Sequence, residues 1–277
     1  MPDAKARLAE CYFWGDGVDE DVDKAFNLAK EAAKEDSAFG HYVIGLYYLC
    51  GNETDKNFDL ALQNLKLSAQ KGCPEADNRI ALIYDNGKDT PKDPKLAFTH
   101  YERAAKKGFT PAEYNLGLCY YDETGVARNN TEAFRLFEKA AKKGYAAAQH
   151  MLARCYYYGY GTTRKRELAL RYYEVSALNG YEESIVSLIT ILLAEENYTE
   201  LENYCVKNKW FKELTEKYLE EFDFFKKANK EHYNRYISWL NKAQKAGYKD
   251  AESKKLEAQE AFESAKNNPF AKLFKKK

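Results

Sequence analysis

The chain has 277 residues, and its 43 basic and 43 acidic side chains give a formal net charge of zero, which excludes a strong overall attraction to nucleic acid or to an anionic membrane. No apolar run is long enough to span a membrane, and the first residues lack the basic start and apolar core of a secretion signal. We therefore expect a cytoplasmic protein whose six cysteines are reduced.

A period of 36 residues runs through most of the chain and aligns four columns of like residues. The tyrosine column contains Tyr12, Tyr48, Tyr84, Tyr120 and Tyr156. The two alanine columns and the glycine column contain Ala25, Ala61, Ala97, Ala133 and Ala169; Ala33, Ala69, Ala105, Ala141 and Ala177; and Gly72, Gly108, Gly144 and Gly180. A fixed period of this size indicates a solenoid, in which each unit buries its apolar face against its neighbours.

Each unit is predicted to contain two helices joined by a turn. In the fourth unit, Ala112, Leu116 and Tyr120 follow one another at intervals of four residues, which places them on one helical face. The second helix has the same kind of apolar stripe, around Phe137, and charged residues on its other side. Residues 121–130 between them contain glycine and asparagine, which are typical of turns, and the unit ends in Lys-Lys-Gly, which is typical of a helix C-terminus.

The motifs follow one another in the order Ala, Leu-Gly, Tyr, a Gly-containing turn, Ala-Phe and Ala-Ala-Lys-Lys-Gly. A repeat with this order and a period of 36 residues resembles the Sel-one-like repeat (SLR) family, relatives of tetratricopeptide repeats. The resemblance covers residues 1–183 in five units, at about 4–39, 40–75, 76–111, 112–147 and 148–183. It implies an all-α fold, a right-handed superhelical solenoid of helix-turn-helix repeats that acts as an adaptor. Some members join successive units by disulfides, but the columns that would hold those cysteines contain none here.

The pattern weakens after residue 183. We predict a degenerate sixth unit at 184–209, a helical C-terminal extension and cap at 210–266, and a basic tail at 267–277. The tail combines phenylalanine and leucine with lysine, so it could contact an acidic membrane surface or nucleic acid, although a loose terminus is the simpler interpretation. At the other end, Ala4, Leu8 and Tyr12 carry a stripe that faces a preceding helix in later units, so we expect the first helix to meet further chain, a partner or a second copy.

In the tetratricopeptide register, the resemblance implies that the first helix of each unit lines the concave wall of the stack. Fourteen residues occupy the wall positions: Phe13, Trp14, Tyr42, Leu46, Asn78, Asp85, Tyr114, Leu118, Tyr121, Asp122, His150, Arg154, Tyr157 and Tyr158. They vary between units, and tyrosine supplies contact area and a hydroxyl group at low entropic cost, so we expect a peptide or a partner helix to bind there. The alternative is that many of these tyrosines fill gaps between neighbouring first helices.

Catalytic and metal-binding patterns are weak. The four histidines are scattered, and the acidic residues between Asp16 and Asp23 lack the spacing of a calcium loop. The sequence therefore predicts a non-enzymatic protein-binding scaffold without metal or cofactor, whose partners are proteins or peptides and not nucleic acid. The first alternative is an immunity-like or regulatory inhibitor that covers a partner enzyme. A more remote alternative is an enzyme built on the repeat stack.

Overall fold

The computed structural model describes residues 1–50, 56–88, 90–222 and 230–267. Fifteen α-helices and no strands are found in these ranges, which confirms the predicted all-α class. The chain divides into two compact units, Met1–Tyr172 and Tyr173–Lys277. Each unit is described by itself below.

The first unit is a series of helical hairpins. The first helices of successive hairpins are α1 (Pro2–Trp14), α3 (Ala38–Cys50), α5 (Pro74–Asn86), α7 (Thr110–Asp122) and α9 (Ala146–Tyr158). The second helices are α2 (Val22–Lys34), α4 (Phe58–Gln70), α6 (Pro94–Lys106), α8 (Asn130–Lys142) and α10 (Arg166–Leu178). Each helix has 13 residues and begins 36 residues after its counterpart, so the predicted helix-turn-helix repeat is confirmed.

The turn inside each hairpin is closed by the same hydrogen bonds. Four second helices begin after an Asp or Asn side chain that accepts a hydrogen bond from a backbone N–H in the first turn: Asp21, Asn57, Asp93 and Asn129. The backbone N–H of each capping residue in turn donates to the carbonyl of the tyrosine nine residues earlier, at 2.9–3.0 Å. A side-chain cap of this kind stabilises a helix by about 1 kcal/mol, and here it also fixes the length of the turn.

The tyrosine column packs against the preceding repeat. Tyr48, Tyr120 and Tyr156 each meet a phenylalanine of the previous second helix edge to face, with ring centroids 5.4–5.6 Å apart. Alanines 25, 61, 97, 133 and 169 are completely buried. A side chain larger than alanine would force the paired helices apart, which explains why these columns keep the same residues over five repeats.

Two turn glycines contact the preceding repeat through backbone alone. Both Gly125 and Gly161 have positive φ, at 74° and 68°. A Cβ atom added at Gly125 would lie 2.1 Å from the Pro94 carbonyl oxygen, and one at Gly161 would lie 2.0 Å from the Asn130 carbonyl oxygen. Gly17, at the equivalent place in the first repeat, also has positive φ but nothing within 4 Å.

A charged column inside the hairpins was not predicted from the sequence. Lys5, Asp77 and Glu113 occupy the fourth position of their first helices, and the two carboxylates are completely buried. Glu113 accepts from Lys139 and Lys143 at 2.9 Å, and Asp77 lies 3.0–3.5 Å from His100, Arg103 and Lys107. In the first repeat the signs are exchanged, because Lys5 pairs with Glu31 and Glu35 at 3.2 and 2.8 Å.

The cap of α7 departs from the glycine found elsewhere. Glu123 has φ of 61°, whereas Gly15, Gly87 and Gly159 occupy the equivalent left-handed position in three other repeats. A side chain in this left-handed conformation lowers the stability of the folded state by roughly 1–2 kcal/mol. Glycine avoids this cost, but its unfolded chain has more conformational freedom, which offsets part of the gain. We therefore expect Glu123→Gly to raise the free energy of unfolding by about 0.5–1 kcal/mol in equilibrium urea denaturation.

The control for this substitution is Arg128→Ala. It removes the exposed Arg128–Glu123 ion pair, 3.3 Å long, and leaves the backbone conformation at residue 123 unchanged. Exposed pairs of this kind contribute little, so the control should change the stability by less than about 0.5 kcal/mol. A Glu123→Gly variant less stable than the wild type would contradict the assignment of strain to this cap.

The second unit contains a shorter set of helices. They are α11 (Glu183–Ala194), α12 (Tyr198–Asn208), α13 (Phe211–Phe222), α14 (Lys230–Lys245) and α15 (Ala251–Asn267). Its core contains Tyr218, Tyr236 and Trp239, all completely buried, and the indole N–H of Trp239 donates to the Thr215 hydroxyl at 3.1 Å. The predicted basic tail lies beyond the described residues except for Asn267, where α15 ends. The boundaries of the sixth unit, the extension and the cap remain predictions.

Candidate functional site

The predicted wall residues fall into two groups according to their burial. Five of them are more than nine-tenths buried: Phe13, Tyr42, Leu46, Asn78 and His150. This corrects the prediction of groove contact for these five side chains, because they have almost no exposed surface, and Phe13, Tyr42 and Leu46 belong to one hydrophobic core. Tyr42 packs on Phe39 with ring centroids 5.1 Å apart, and the Asn78 side chain accepts a hydrogen bond from Asn115 at 3.1 Å.

In the first three repeats, contacts of a charged side chain also occupy this face. The Arg7 guanidinium stacks 3.6 Å above the Phe39 ring and donates to Glu75 at 2.8 Å, so it crosses from the first hairpin to the third. Glu10 accepts from the same arginine at 3.3 Å. Burial raises the pKa of the Glu10 carboxyl, and Arg7 opposes that shift only in part. The charges at this end of the wall are therefore already satisfied within the chain.

The other nine predicted wall residues remain at least partly exposed: Trp14, Asp85, Tyr114, Leu118, Tyr121, Asp122, Arg154, Tyr157 and Tyr158. Trp14 is the most exposed aromatic residue among them, at 53%. It lies on α1 together with Leu8, which is 44% exposed. The predicted self-association through this helix has support from these two side chains but stays a prediction.

Five residues of the fourth and fifth repeats form one continuous patch, which we call the aromatic cluster: Tyr121, Arg154, Tyr157, Tyr158 and Tyr160. Tyr121 and Tyr160 meet edge to face with ring centroids 5.5 Å apart, and Tyr160 stacks on Tyr158 at 5.5 Å. Tyr158 meets Tyr157 edge to face at 4.9 Å. The structure therefore brings together four of the predicted wall residues, on α7 and α9, and adds Tyr160 from the following turn.

Helix geometry and the turn after α9 produce this arrangement. Tyr157 and Tyr158 are the last two residues of α9, and Gly159 follows with φ of 81°, which reverses the chain. That reversal brings Tyr160 back beside the rings it follows in sequence. Tyr121 lies 36 residues before Tyr157 and so occupies the equivalent place in the previous repeat.

Arg154 is the cation of the aromatic cluster. One guanidinium nitrogen donates to the Tyr121 hydroxyl at 3.4 Å, and the group lies 5.7 Å from the centre of the Tyr121 ring. Burial raises the pKa of the Tyr121 hydroxyl, and the positive charge of Arg154 opposes this only in part. At neutral pH the hydroxyl is therefore protonated and can donate a hydrogen bond to a ligand.

Tyr114 and Leu118 flank this cluster on α7. Tyr114 packs against Phe137 and Tyr145, with ring centroids 6.0 and 5.3 Å apart, so its ring is held by the core of the fourth repeat. Leu118 borders the same core and is partly exposed. The packing of Tyr114 agrees with the alternative that some wall tyrosines fill gaps between helices.

Two of the four histidines and two cysteines are buried in the packing of the repeats. His100 and His150 are more than nine-tenths buried, and His100 contacts Asp77. Among the described residues, no group of three His, Cys, Asp or Glu side chains has metal-binding geometry. Burial raises the pKa of the Cys119 and Cys155 thiols to about 12, so these cysteines are packing residues rather than nucleophiles.

A wide cavity of about 800 Å³ lies on a different surface, at the turns of the third and fourth repeats. Its lining includes Tyr84, Pro91, Lys92, Glu123 and Val126. This cavity was not predicted, because its walls come from two turns that are 36 residues apart. No helix in the described ranges has the length and hydrophobicity that crossing a membrane requires.

Comparison with known proteins agrees with this architecture. The sequence matches the Sel1 repeat over residues 2–37, 38–73, 74–109, 110–145 and 146–181. No curated protein sequence matches the chain. Proteins built from this repeat generally mediate protein–protein interactions and are typically non-catalytic scaffolds.

Three solved structures illustrate the similarity. A Sel1 repeat protein from Oxalobacter formigenes is 29% identical over 69% of this chain and 78% of its own, with a TM-score of 0.62. A protective antigen with an SLR fold, present in uropathogenic Escherichia coli strains, is 22% identical over 98% of this chain and 62% of its own, with a TM-score of 0.64. An immunity protein from Pseudomonas aeruginosa is 22% identical over 67% of each chain, but its TM-score of 0.49 is too low to carry an argument about function. Five matched repeats follow one another without a gap from residue 2 to residue 181, and the chain therefore belongs to the Sel1 repeat family.

Proposed function

We propose that this protein is a non-enzymatic interaction scaffold that binds a peptide or a helix of a partner protein on the aromatic cluster. The proposal rests on one observation. Within the described ranges, the cluster is the only part of the predicted wall where several tyrosines contact one another and are also partly exposed. Tyrosine is enriched at binding hot spots because it buries a large area with few rotatable bonds. In the first three repeats, four of the predicted wall residues are buried by packing, and the at least partly exposed ones, Trp14 and Asp85, are not part of such a group of tyrosines.

The geometry suits an extended or helical ligand more than a small molecule. Tyr121, Tyr160 and Tyr158, in this order, span two neighbouring repeats with 5.5 Å between successive ring centroids. These partly exposed rings offer apolar faces, ring edges and hydroxyl groups, rather than an enclosed cavity. Side chains of a bound segment can then pack over the rings while its backbone meets the hydroxyl groups.

The test is a selection from a displayed library of random 12-residue peptides, followed by affinity measurements with fluorescently labelled winners. We expect the double substitution Tyr121→Ala and Tyr158→Ala to weaken binding at least about tenfold, because each lost aromatic hot spot typically costs 1–2 kcal/mol. Helical content, measured by far-ultraviolet circular dichroism, should not change. The affinity itself is measured by fluorescence anisotropy.

The matched control removes exposed apolar area from another surface. Leu60 and Leu67 lie on α4, a second helix, and each is 37% exposed. Their replacement by alanine should leave peptide affinity unchanged. If the control weakens binding as much as the tyrosine variant, the cluster is not the site, and if the selection yields no peptide that binds, the proposal fails.

An inhibitor that covers a partner enzyme would use a folded surface as its ligand. It would then bind the intact enzyme and not the peptides of the library. Recovery of binding peptides from the library therefore separates a peptide-binding scaffold from such an inhibitor.

A further inference from the structure

We infer that the partner segment bound by the aromatic cluster is acidic, and that an Asp or Glu side chain of this segment pairs with Arg154 while apolar neighbours pack on the tyrosines. The inference rests on the proposed function and names the chemistry of the ligand. It follows from the contacts of one guanidinium group and from the charges around it.

Arg154 differs in its contacts from four other arginines of the first unit, and it resembles Arg164, which donates to the uncharged Tyr158 carbonyl at 3.1 Å. Arg7, Arg103, Arg128 and Arg135 each lie within 4 Å of a carboxylate. Among the described residues, Arg154 instead donates to the Tyr121 hydroxyl at 3.4 Å and to the Met151 sulfur at 3.8 Å. Both are weak, uncharged acceptors, so the positive charge is not neutralised within the described part of the chain.

A guanidinium group in this situation is suited to a carboxylate. Its five N–H donors form a planar fork that can hold the two oxygens of a carboxylate side by side. Arg154 is partly buried beside Tyr121 of the preceding repeat, and partial burial strengthens an ion pair because water screens it less. A ligand carboxylate would therefore supply the partner that this arginine lacks.

The surrounding charges favour one carboxylate over a phosphate group. Asp122 is exposed and directly follows Tyr121, and its charge contributes to the raised pKa of the Tyr121 hydroxyl. With Arg154 and Asp122 both charged, a bound carboxylate leaves one net negative charge at this place and a dianionic phosphate leaves two, so the phosphate accumulates more like charge. Exposed Tyr158, at 44%, offers apolar area for the residues on either side of the acidic one.

The experiment uses the full-length protein and the same random 12-residue library. Peptides selected on the wild type should be enriched in Asp or Glu flanked by apolar residues. Changing the enriched acidic residue to its amide should weaken binding at least about tenfold, because it removes one partner of a charge-assisted pair. Peptides amidated at the C-terminus should bind as well as free acids, because the acidic residue is a side chain within the segment.

Reversing the charge of Arg154 is the decisive part of the experiment. Arg154→Glu should abolish binding of the acidic peptides and should accept a peptide whose enriched Glu is replaced by Lys. Such a gain of binding also demonstrates that the variant is folded. Arg171→Glu is the matched control, because Arg171 is exposed on α10, a second helix, and its reversal should leave the acidic peptides bound.

Four results would overturn the inference while leaving the proposed function intact. The first is a set of selected peptides without acidic enrichment, and the second is equal affinity of the wild type and Arg154→Glu for the acidic peptides. The third is binding that depends on the free C-terminal carboxylate of the peptide. The fourth is an affinity that improves about tenfold when phosphoserine replaces the acidic residue. A selection without any binder overturns the proposed function itself.

Discussion

Gly161→Ala should lower the free energy of unfolding by about 3 kcal/mol or more in equilibrium denaturation followed by circular dichroism. The new methyl group would lie 2.0 Å from the Asn130 carbonyl oxygen, a contact with backbone that no side-chain rotation relieves. Overpacking of this kind costs roughly 1–3 kcal/mol, and a non-glycine residue at positive φ costs roughly 1–2 kcal/mol more. The turn of the fifth repeat would have to move away from α8.

Gly17→Ala is the control that separates the two costs. Gly17 has φ of 71° and Gly161 has φ of 68°, but nothing lies within 4 Å of an added Cβ at Gly17. The control should therefore lower stability by only about 1 kcal/mol, the cost of the backbone conformation alone. Equal losses for the two variants would contradict a role of Gly161 in contact between repeats.

The double substitution Lys139→Met and Lys143→Met should cost about 3 kcal/mol of stability. It leaves the Glu113 carboxylate buried without either of the ammonium groups that now lie 2.9 Å from it. Removing the partners of a buried charge typically costs 3–5 kcal/mol, because the remaining charge has lost both water and its counter-ions. The measurement is chemical denaturation at neutral pH and low salt.

A third substitution tests the cause of this loss. Glu113→Gln added to the double variant should recover most of the stability, since an amide is cheaper to bury than a carboxylate. Lys142→Met is the control for lysine removal, because Lys142 pairs only with the partly exposed Glu138 at 2.8 Å and should cost less than about 0.5 kcal/mol. If the triple variant is no more stable than the double variant, lost packing of the lysine chains explains the result better.

The repeat architecture could be predicted because each steric constraint determines the residue type at a single position of the repeat. Ala61 and Ala97 have no exposed surface, so a larger residue is not tolerated there, and the same residue returns after 36 positions. The asparagine and aspartate caps, such as Asp93 and Asn129, recur for the same reason, because the turn they close has one length. These constraints act locally and can be recognised without coordinates.

The solvent exposure of the individual wall residues could not be predicted in this way. Leu46 and Leu118 occupy equivalent positions, yet Leu46 is completely buried in a core with Phe13 and Tyr42 whereas Leu118 stays partly exposed. The difference arises from the size of side chains in adjacent repeats, which a single column does not contain. Tyr160 was missed because it lies in a turn and reaches the cluster only through the reversal at Gly159.

The buried charges were missed for a related reason. Taken alone, Asp77 and Glu113 look like surface residues of a highly charged protein. The signal lies in pairs, since residues of opposite charge follow them 26 and 30 positions later, as Lys139 and Lys143 follow Glu113. Comparing charges at these two separations would have identified the column.

The exchanged signs of this column determine how the protein can be recombined. Each ion pair joins the two helices of one hairpin, with the cation on α1 in the first repeat and on α8 in the fourth. A chimera that crosses over between repeats keeps every pair, but one that crosses over inside a turn can join α1 to α8 and set Lys5 against Lys139 and Lys143. For the charges of this column, whole hairpins are therefore the units that can be exchanged, and single helices are not.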